Sequence, residues 1–183
     1  MKALDRFLQN WRIRKAHAWV RDGDRLLDLG CFDRTLLERV GGRVTRAVGI
    51  DPLATPYSNG KVEIVKGMIP GSHPFAAGEF DSITMLAVLE HIQEKDALAG
   101  ECARLLSEKG RVIITVPRPA VDKILAVLSA LRLIDGMSLE EHHGFDIEET
   151  PAIFRRSGFT LLKRAGFQLG LNQLFVFEKN RAG

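Results

Sequence analysis

Short apolar runs recur along the chain, and most are closed by Gly, Pro or Asp. They are 25–29 (RLLDL) before Gly30, 44–50 (VTRAVGI) before Asp51 and Pro52, 62–65 (VEIV) before Gly67, 80–86 (FDSITML), and 111–116 (RVIITV) before Pro117. Runs of this length, rich in Val and Ile, predict strands of a parallel sheet covered on both faces. Helical patterns fall between them, at 35–40 and at 95–107. The second carries Leu98, Cys102, Leu105 and Leu106 on one face, with Gly110 as its stop. Strand and helix in alternation predict an α/β fold with a doubly wound, Rossmann-like sheet and helices on both faces. In such sheets ligands bind beyond the carboxyl ends of the strands, so the residues after Leu29, Ile50, Val65, Leu86 and Val116 are the ones to examine.

The last third has a different pattern. Residues 120–134 form an apolar helical stretch (Val121, Ile124, Leu125, Leu128, Leu131), 140–146 read as a loop, and 148–157 as a helix ended by Gly158. Two final strands, 159–165 and 173–178, are separated by a gap short enough for a hairpin, so the closing strand is expected to run antiparallel. The sheet then has about seven strands, mostly parallel. The expected organisation is one domain: an N-terminal helical lid (1–24), a ligand-binding core (25–117), a substrate-covering segment (118–158) and closing strands (159–179).

At 183 residues the chain is long enough for one two-sided core, and no repeat or low-complexity tract divides it. A net charge of +3 argues against a nucleic-acid binder that is basic throughout, and no nucleic-acid module stands out. Cys31 and Cys102 lie in apolar runs and are too few for a disulfide framework, and no membrane-spanning run occurs. The expectation is a soluble, cytoplasmic protein. Leu4, Phe7, Leu8 and Trp11 share one face of an N-terminal helix, and residues 1–25 hold seven basic against three acidic side chains. Such a helix suits a lid packed near the cleft, and its basic amphipathic character would also suit an anionic membrane surface.

The chemistry concentrates after the first two strands. Gly30 lets the chain turn sharply and lets backbone amides approach a ligand without an intervening side chain. About twenty residues on, Asp51 ends the second strand, where a carboxylate can accept hydrogen bonds from the ribose hydroxyls of a nucleoside.

The segments DLGCFDRTLL (28–37), VGIDP (48–52), EFDSITMLAVLEHI (79–92) and LLSEKGRVIITVP (105–117) resemble, in order and spacing, the motifs of class I S-adenosylmethionine-dependent methyltransferases. The likeness is greatest to the subgroup acting on small molecules and lipids. It implies S-adenosylmethionine as cofactor and S-adenosylhomocysteine as product. It also implies that Asp28 and Gly30 flank the methionine part and Asp51 holds the ribose, with Cys31, Phe32, Pro52, Gly67 and Met68 among the cofactor-binding residues. Leu86 and Ala87 would lie near the transferable methyl group, and His91 would cap that end of the site.

Two departures bear on the fit. Phe32 and Arg34 stand where the family carries its second and third loop glycines, and Phe does not take φ > 0 cheaply. The loop is therefore expected either to run differently or to hold Phe32 at an ordinary angle. Met68 replaces an acidic residue that often meets the adenine amino group, and can pack on the ring without accepting its hydrogen bond.

His91 and His143 are the candidate proton acceptors. His142 and His143 follow Glu140 and Glu141, but neighbours in a loop seldom converge on one ion, so no metal is expected. The function expected is methyl transfer to a small-molecule, lipid or glycan-precursor acceptor. The alternatives are a catalytically inactive domain of the same fold that binds a nucleoside or protein partner, and a nicotinamide-dependent dehydrogenase. The last is disfavoured because a pyrophosphate needs the close-approach glycine that Phe32 replaces.

Overall fold

A computed structural model of the protein describes residues 3–118 and 146–181. The described strands are β1 (Arg25–Leu29), β2 (Arg46–Asp51), β3 (Tyr57–Ser58), β4 (Val62–Lys66), β5 (Phe80–Leu86), β6 (Leu106–Pro117), β7 (Phe159–Phe167) and β8 (Asn172–Lys179). They join in one eight-stranded sheet of order β3-β4-β2-β1-β5-β6-β8-β7. From β4 to β6 all neighbours are parallel, while β8 is antiparallel to both β6 and β7. The doubly wound, mostly parallel sheet with an antiparallel closing strand is therefore present, with one strand more than the seven expected. The addition, β3, is a two-residue antiparallel edge against β4 and has both residues exposed, so it leaves no apolar run in the sequence.

The helices are α1 (Ala3–His17), α2 (Thr35–Val40), α3 (Lys95–Leu105) and α4 (Thr150–Arg156). Alternation along the parallel strands sends side chains into two separate cores. Leu27, Leu29, Val48, Ile50, Ile83 and Met85 pack with Leu98 and Cys102 of α3 and Phe154 of α4. Leu26, Ala47, Val62 and Ile64 pack with Ile13 and Ala16 of α1 and with Leu36, Leu37 and Val40 of α2.

Three boundaries differ from the expected ones for local reasons. The helix expected over 95–107 stops at Leu105, because Leu106 pairs with Phe80 and begins β6. Gly110 consequently lies within β6, and the left-handed residue of that bend is Lys109 (φ 57°). The helix expected over 148–157 is a 3₁₀ turn (Ile147–Glu149) followed by α4, with Asp146 accepting from the Glu148 amide at 2.9 Å. Pro151 is tolerated because the first helical turn has no use for its missing N–H. The apolar stretch 120–134 and the loop with His142 and His143 lie outside the described residues.

The amino-terminal ends of the strands are pinned by charge. Arg25 forms a two-pronged pair with Asp81 (2.8 and 2.9 Å), which also accepts from Ser107 (2.7 Å). Arg46 joins Glu63 (2.9 Å) and Glu79 (2.6 Å). The Arg25 and Ser107 contacts hold Asp81 well below the usual carboxylate range, first through the Arg25 hydrogen bond. They stand at the end of the sheet opposite the strand tips where ligands bind, so register is secured without using groups at the tips.

Gly49, in the centre of β2, has no room for a side chain: a Cβ there would lie 2.6 Å from Cys31 Sγ and 2.8 Å from Ile64 Cδ1. Gly49→Ala is expected to lower stability by about 1–3 kcal/mol through overpacking, read as a fall in the urea midpoint with an unchanged slope.

Candidate active site

The sheet order reverses at β1, which lies between β2 and β5 although β2 follows it directly in the chain. The crevice of a doubly wound sheet opens at this switch point. Gly30 (φ 71°) makes the turn out of β1, and its amide donates to the Ile50 carbonyl at 2.9 Å. A Cβ on Gly30 would lie 2.5 Å from Val88 Cγ2, so the first loop and the segment after β5 are in contact only because this residue has no side chain.

The loop that follows corrects the expectation for Phe32. Its φ is 37° and that of Arg34 is 63°, so with Gly30 the loop is left-handed at alternate positions although two of the three residues are not glycine. A left-handed L-residue costs roughly 1–2 kcal/mol. Neighbouring contacts hold the loop in this shape. Asp33 accepts from the Thr35 amide (3.1 Å) and from Gln9 Nε2 of α1 (2.9 Å), while buried Cys31 packs against Gly49. The Arg34 guanidinium lies over the Tyr57 ring, 4.3 Å from its centroid. Phe32 itself is 80% exposed.

At the tip of β2 the Asp51 carboxylate is half-buried and accepts from the Leu53 amide at 2.8 Å. Pro52 and Leu53 beside it are exposed. Beyond β4, Gly67 donates to the Asp51 carbonyl at 3.3 Å, and a Cβ on it would meet Ser72 O at 2.9 Å and Ile50 Cδ1 at 3.0 Å. The glycine is thus required by close packing, and it places the exposed Met68 at the next strand tip. Leu86 and Ala87 end β5, where Ala87 is also left-handed (φ 60°) and its amide donates to Thr115 O at 2.8 Å. A 3₁₀ turn (Leu89–His91) follows, with Glu90 buried and His91 exposed. The structure thus brings Asp28, Gly30, Cys31, Phe32, Asp51, Pro52, Gly67, Met68, Leu86, Ala87 and His91 to one end of the sheet. His143 lies outside the described residues.

Asp28 is buried and accepts a 2.6 Å hydrogen bond from the Thr84 hydroxyl of β5. Burial raises its pKa to about 7, with Asp33 and Asp51 adding to the rise and Thr84 opposing it. Burial likewise pushes the Cys31 thiol up to about 12, so it is neutral and unreactive.

The sequence reading counted Arg12 only among the basic residues of the N-terminus. In the fold α1 carries the half-buried Arg12 to a position near Glu90 and Asp5, and desolvation lowers its pKa against their opposing charge. Among the described residues no hydrogen-bond partner meets Arg12 Nε. No sequence signal marks this, because its neighbour Glu90 is 78 positions away.

A carboxylate at the tip of β2, a side-chain-free turn at the tip of β1 and a glycine closing the tip of β4 define the class I S-adenosylmethionine-dependent methyltransferase fold. A family model described as a methyltransferase domain matches residues 2–168. The chain belongs to that family. Among relatives, the ubiquinone biosynthesis O-methyltransferase of Rhodopseudomonas palustris is 32% identical over 119 residues, covering 59% of this chain and 46% of that protein. The enzyme of the same name from Acinetobacter baumannii is 25% identical over 171 residues, covering 86% and 71%. The match spans about half the length of the first of these relatives and 51% of another, from Dechloromonas aromatica. Of solved structures, a chain from the complex of the Haloferax volcanii Trm112 methyltransferase activator with a methyltransferase superposes with TM-score 0.75 at 15% identity, covering 99% of this chain and 95% of that one. An S-adenosylmethionine-dependent methyltransferase from Listeria monocytogenes gives 0.68 at 13% identity, covering 94% and 100%. At these identities the structures speak for the fold. Among the described residues no helix is long and apolar enough to cross a membrane.

Because the Asp28 carboxyl holds its proton up to about pH 7 in the folded state and only to about 3.8 when unfolded, stability falls as pH rises through that window. Asp28→Asn is therefore expected to stabilise the ligand-free protein at pH 8, by on the order of 2–4 kcal/mol, and to leave it unchanged near pH 3.5. Urea unfolding at the two pH values reads the difference.

Proposed function

We propose that the protein transfers a methyl group from S-adenosylmethionine to a hydroxyl of a small-molecule or lipid-like acceptor. The observation that carries this reading is the pair of glycines at the tips of β1 and β4, each without room for a Cβ, on either side of Asp51. Together they leave a backbone-lined cradle beside a carboxylate, which suits a nucleoside carrying no phosphate. The half-buried Arg12 supplies positive charge for the α-carboxylate of the methionine end. When bound, the cofactor supplies an activated methyl group on a sulfonium.

The protein's share is alignment and proton handling. Asp51 orients the ribose through charge-assisted hydrogen bonds. Exposed Leu53 (90%) and Met68 (56%) offer apolar surface to the adenine ring. Holding the acceptor oxygen in line with the methyl carbon can supply most of the rate effect. His91, on the turn after β5, accepts the proton that the hydroxyl loses in this reading. The hydroxyl acceptor follows the O-methyltransferase relatives. The inactive-domain alternative rests on Phe32, Arg34 and Met68; at the first two the loop keeps its left-handed conformation, which leaves Met68 as its support.

Calorimetric titration with S-adenosylmethionine and S-adenosylhomocysteine tests the cofactor. Asp51→Ala is expected to weaken both by about 1–3 kcal/mol, and absence of binding by the folded wild type would refute the reading. With radiolabelled donor and a panel of hydroxylated small-molecule and lipid acceptors, His91→Gln is expected to lower turnover roughly 10²-fold.

A further inference from the structure

At this end of the sheet Asp28 carries chemistry that the alignment role leaves unused. It pairs in register with Gly49 of β2 and Thr84 of β5, at the switch point and two residues before Gly30. Its carboxyl is 4% exposed and holds a hydrogen bond from a neutral hydroxyl. The charges acting on it are Asp33 and Asp51, both of its own sign. A carboxyl so placed binds a proton more tightly than one in water, and a cation arriving nearby reverses the balance.

We propose that Asp28 selects ligands by charge: binding of the sulfonium donor ionises its carboxyl and releases a proton to solvent, and loss of the methyl group lets the carboxyl take a proton back. This inference rests on the cofactor reading above. Donor and product share the nucleoside, the α-ammonium and the α-carboxylate, and differ at sulfur, which is cationic in the donor and neutral in the thioether product. The balance is simple. The protonated carboxyl becomes carboxylate plus one solvent proton on donor binding; after transfer the sulfur keeps the electron pair of the broken S–CH₃ bond, and the carboxylate recovers a proton from solvent. The ionised carboxylate favours donor over product at higher pH, and the protonated form weakens that preference at lower pH.

Other groups at this end of the sheet bear on the same range. Asp33 comes from the loop and Asp51 from β2, and the Cys31 thiol stays neutral up to about pH 12. From α1 and the turn after β5 come Arg12, Glu90 and His91. His91 is the imidazole whose ordinary range overlaps that of Asp28, so its contribution must be removed separately.

The test is calorimetry of S-adenosylmethionine and S-adenosylhomocysteine binding from pH 5.5 to 8.5, in buffers of different ionisation enthalpy, on wild type, His91→Gln, Asp28→Asn and Thr84→Val. With Asp28 half-ionised near pH 7 in the free protein, the donor is expected to release up to about half a proton there, and the product less. The donor-to-product affinity ratio is expected to rise several-fold between pH 6 and 8. His91→Gln keeps that rise, and Asp28→Asn abolishes it. Thr84→Val moves its midpoint to higher pH, because the hydroxyl no longer favours the carboxylate; this variant keeps the inference testable if Asp28→Asn does not fold. Equal pH dependence for donor and product, or a rise that survives in Asp28→Asn, overturns the inference and leaves the cofactor reading standing. Failure of both ligands to bind at every pH overturns both.

Discussion

The site depends on one contact without a side chain, that between Gly30 and Val88. It draws the turn leaving β1 against the segment leaving β5, and so joins the strands on either side of the switch point. Any Cβ at Gly30 would force the two apart, and φ 71° would add strain. Around that contact the loop continues through left-handed Phe32 and Arg34, and the other wall turns through left-handed Ala87. Asp33 holds the loop to α1 through Gln9, and α1 also meets the β7–β8 hairpin, where Gln168 donates to Leu8 O at 2.8 Å. The N-terminal helix is thus fastened to the cleft's own loop as well as to the core.

Most of this architecture can be read from the residues because two-sided burial leaves a strong trace. β1 and β5 fall where the apolar runs fall, since nearly every residue in them faces a core. Legibility fails where the determinant is not apolar. β3 has two exposed residues and exists through its pairing with β4. The start of β6 looks helical because Leu105 and Leu106 continue the apolar face of α3; pairing of Leu106 with Phe80 decides the boundary, and the partner lies 26 residues back. At the site, Gly30, Asp51 and Gly67 stand out by residue type. The left-handed angles at Phe32, Arg34 and Ala87 leave no such mark, because sequence signals that conformation through glycine. Here the surrounding contacts impose it on residues that resist it. The placement of Arg12 escapes for a related reason: a basic side chain on an amphipathic helix reads as solvated until the fold brings Glu90 to it.

The loop's strain bears on why its side chains are there. Glycine at 32 and 34 would give the same backbone at lower local cost, so fold alone does not account for Phe and Arg. Arg34 has a visible return, since its guanidinium covers the Tyr57 ring and ties the start of α2 to the β3 edge. Phe32 has none in the ligand-free fold, where 80% of its surface faces solvent. Leu53 and Met68 share that condition at the tips of β2 and β4, so three large apolar side chains at one end of the sheet lie open to water. Scattered singly they would need no explanation; at adjoining strand tips they would, under the proposed function, supply the apolar lining that a ligand pocket requires. Under the proposed function the strain at Phe32 would find its physical balance in the bound state, where covering the ring from water would recover free energy comparable to the cost of its backbone angle.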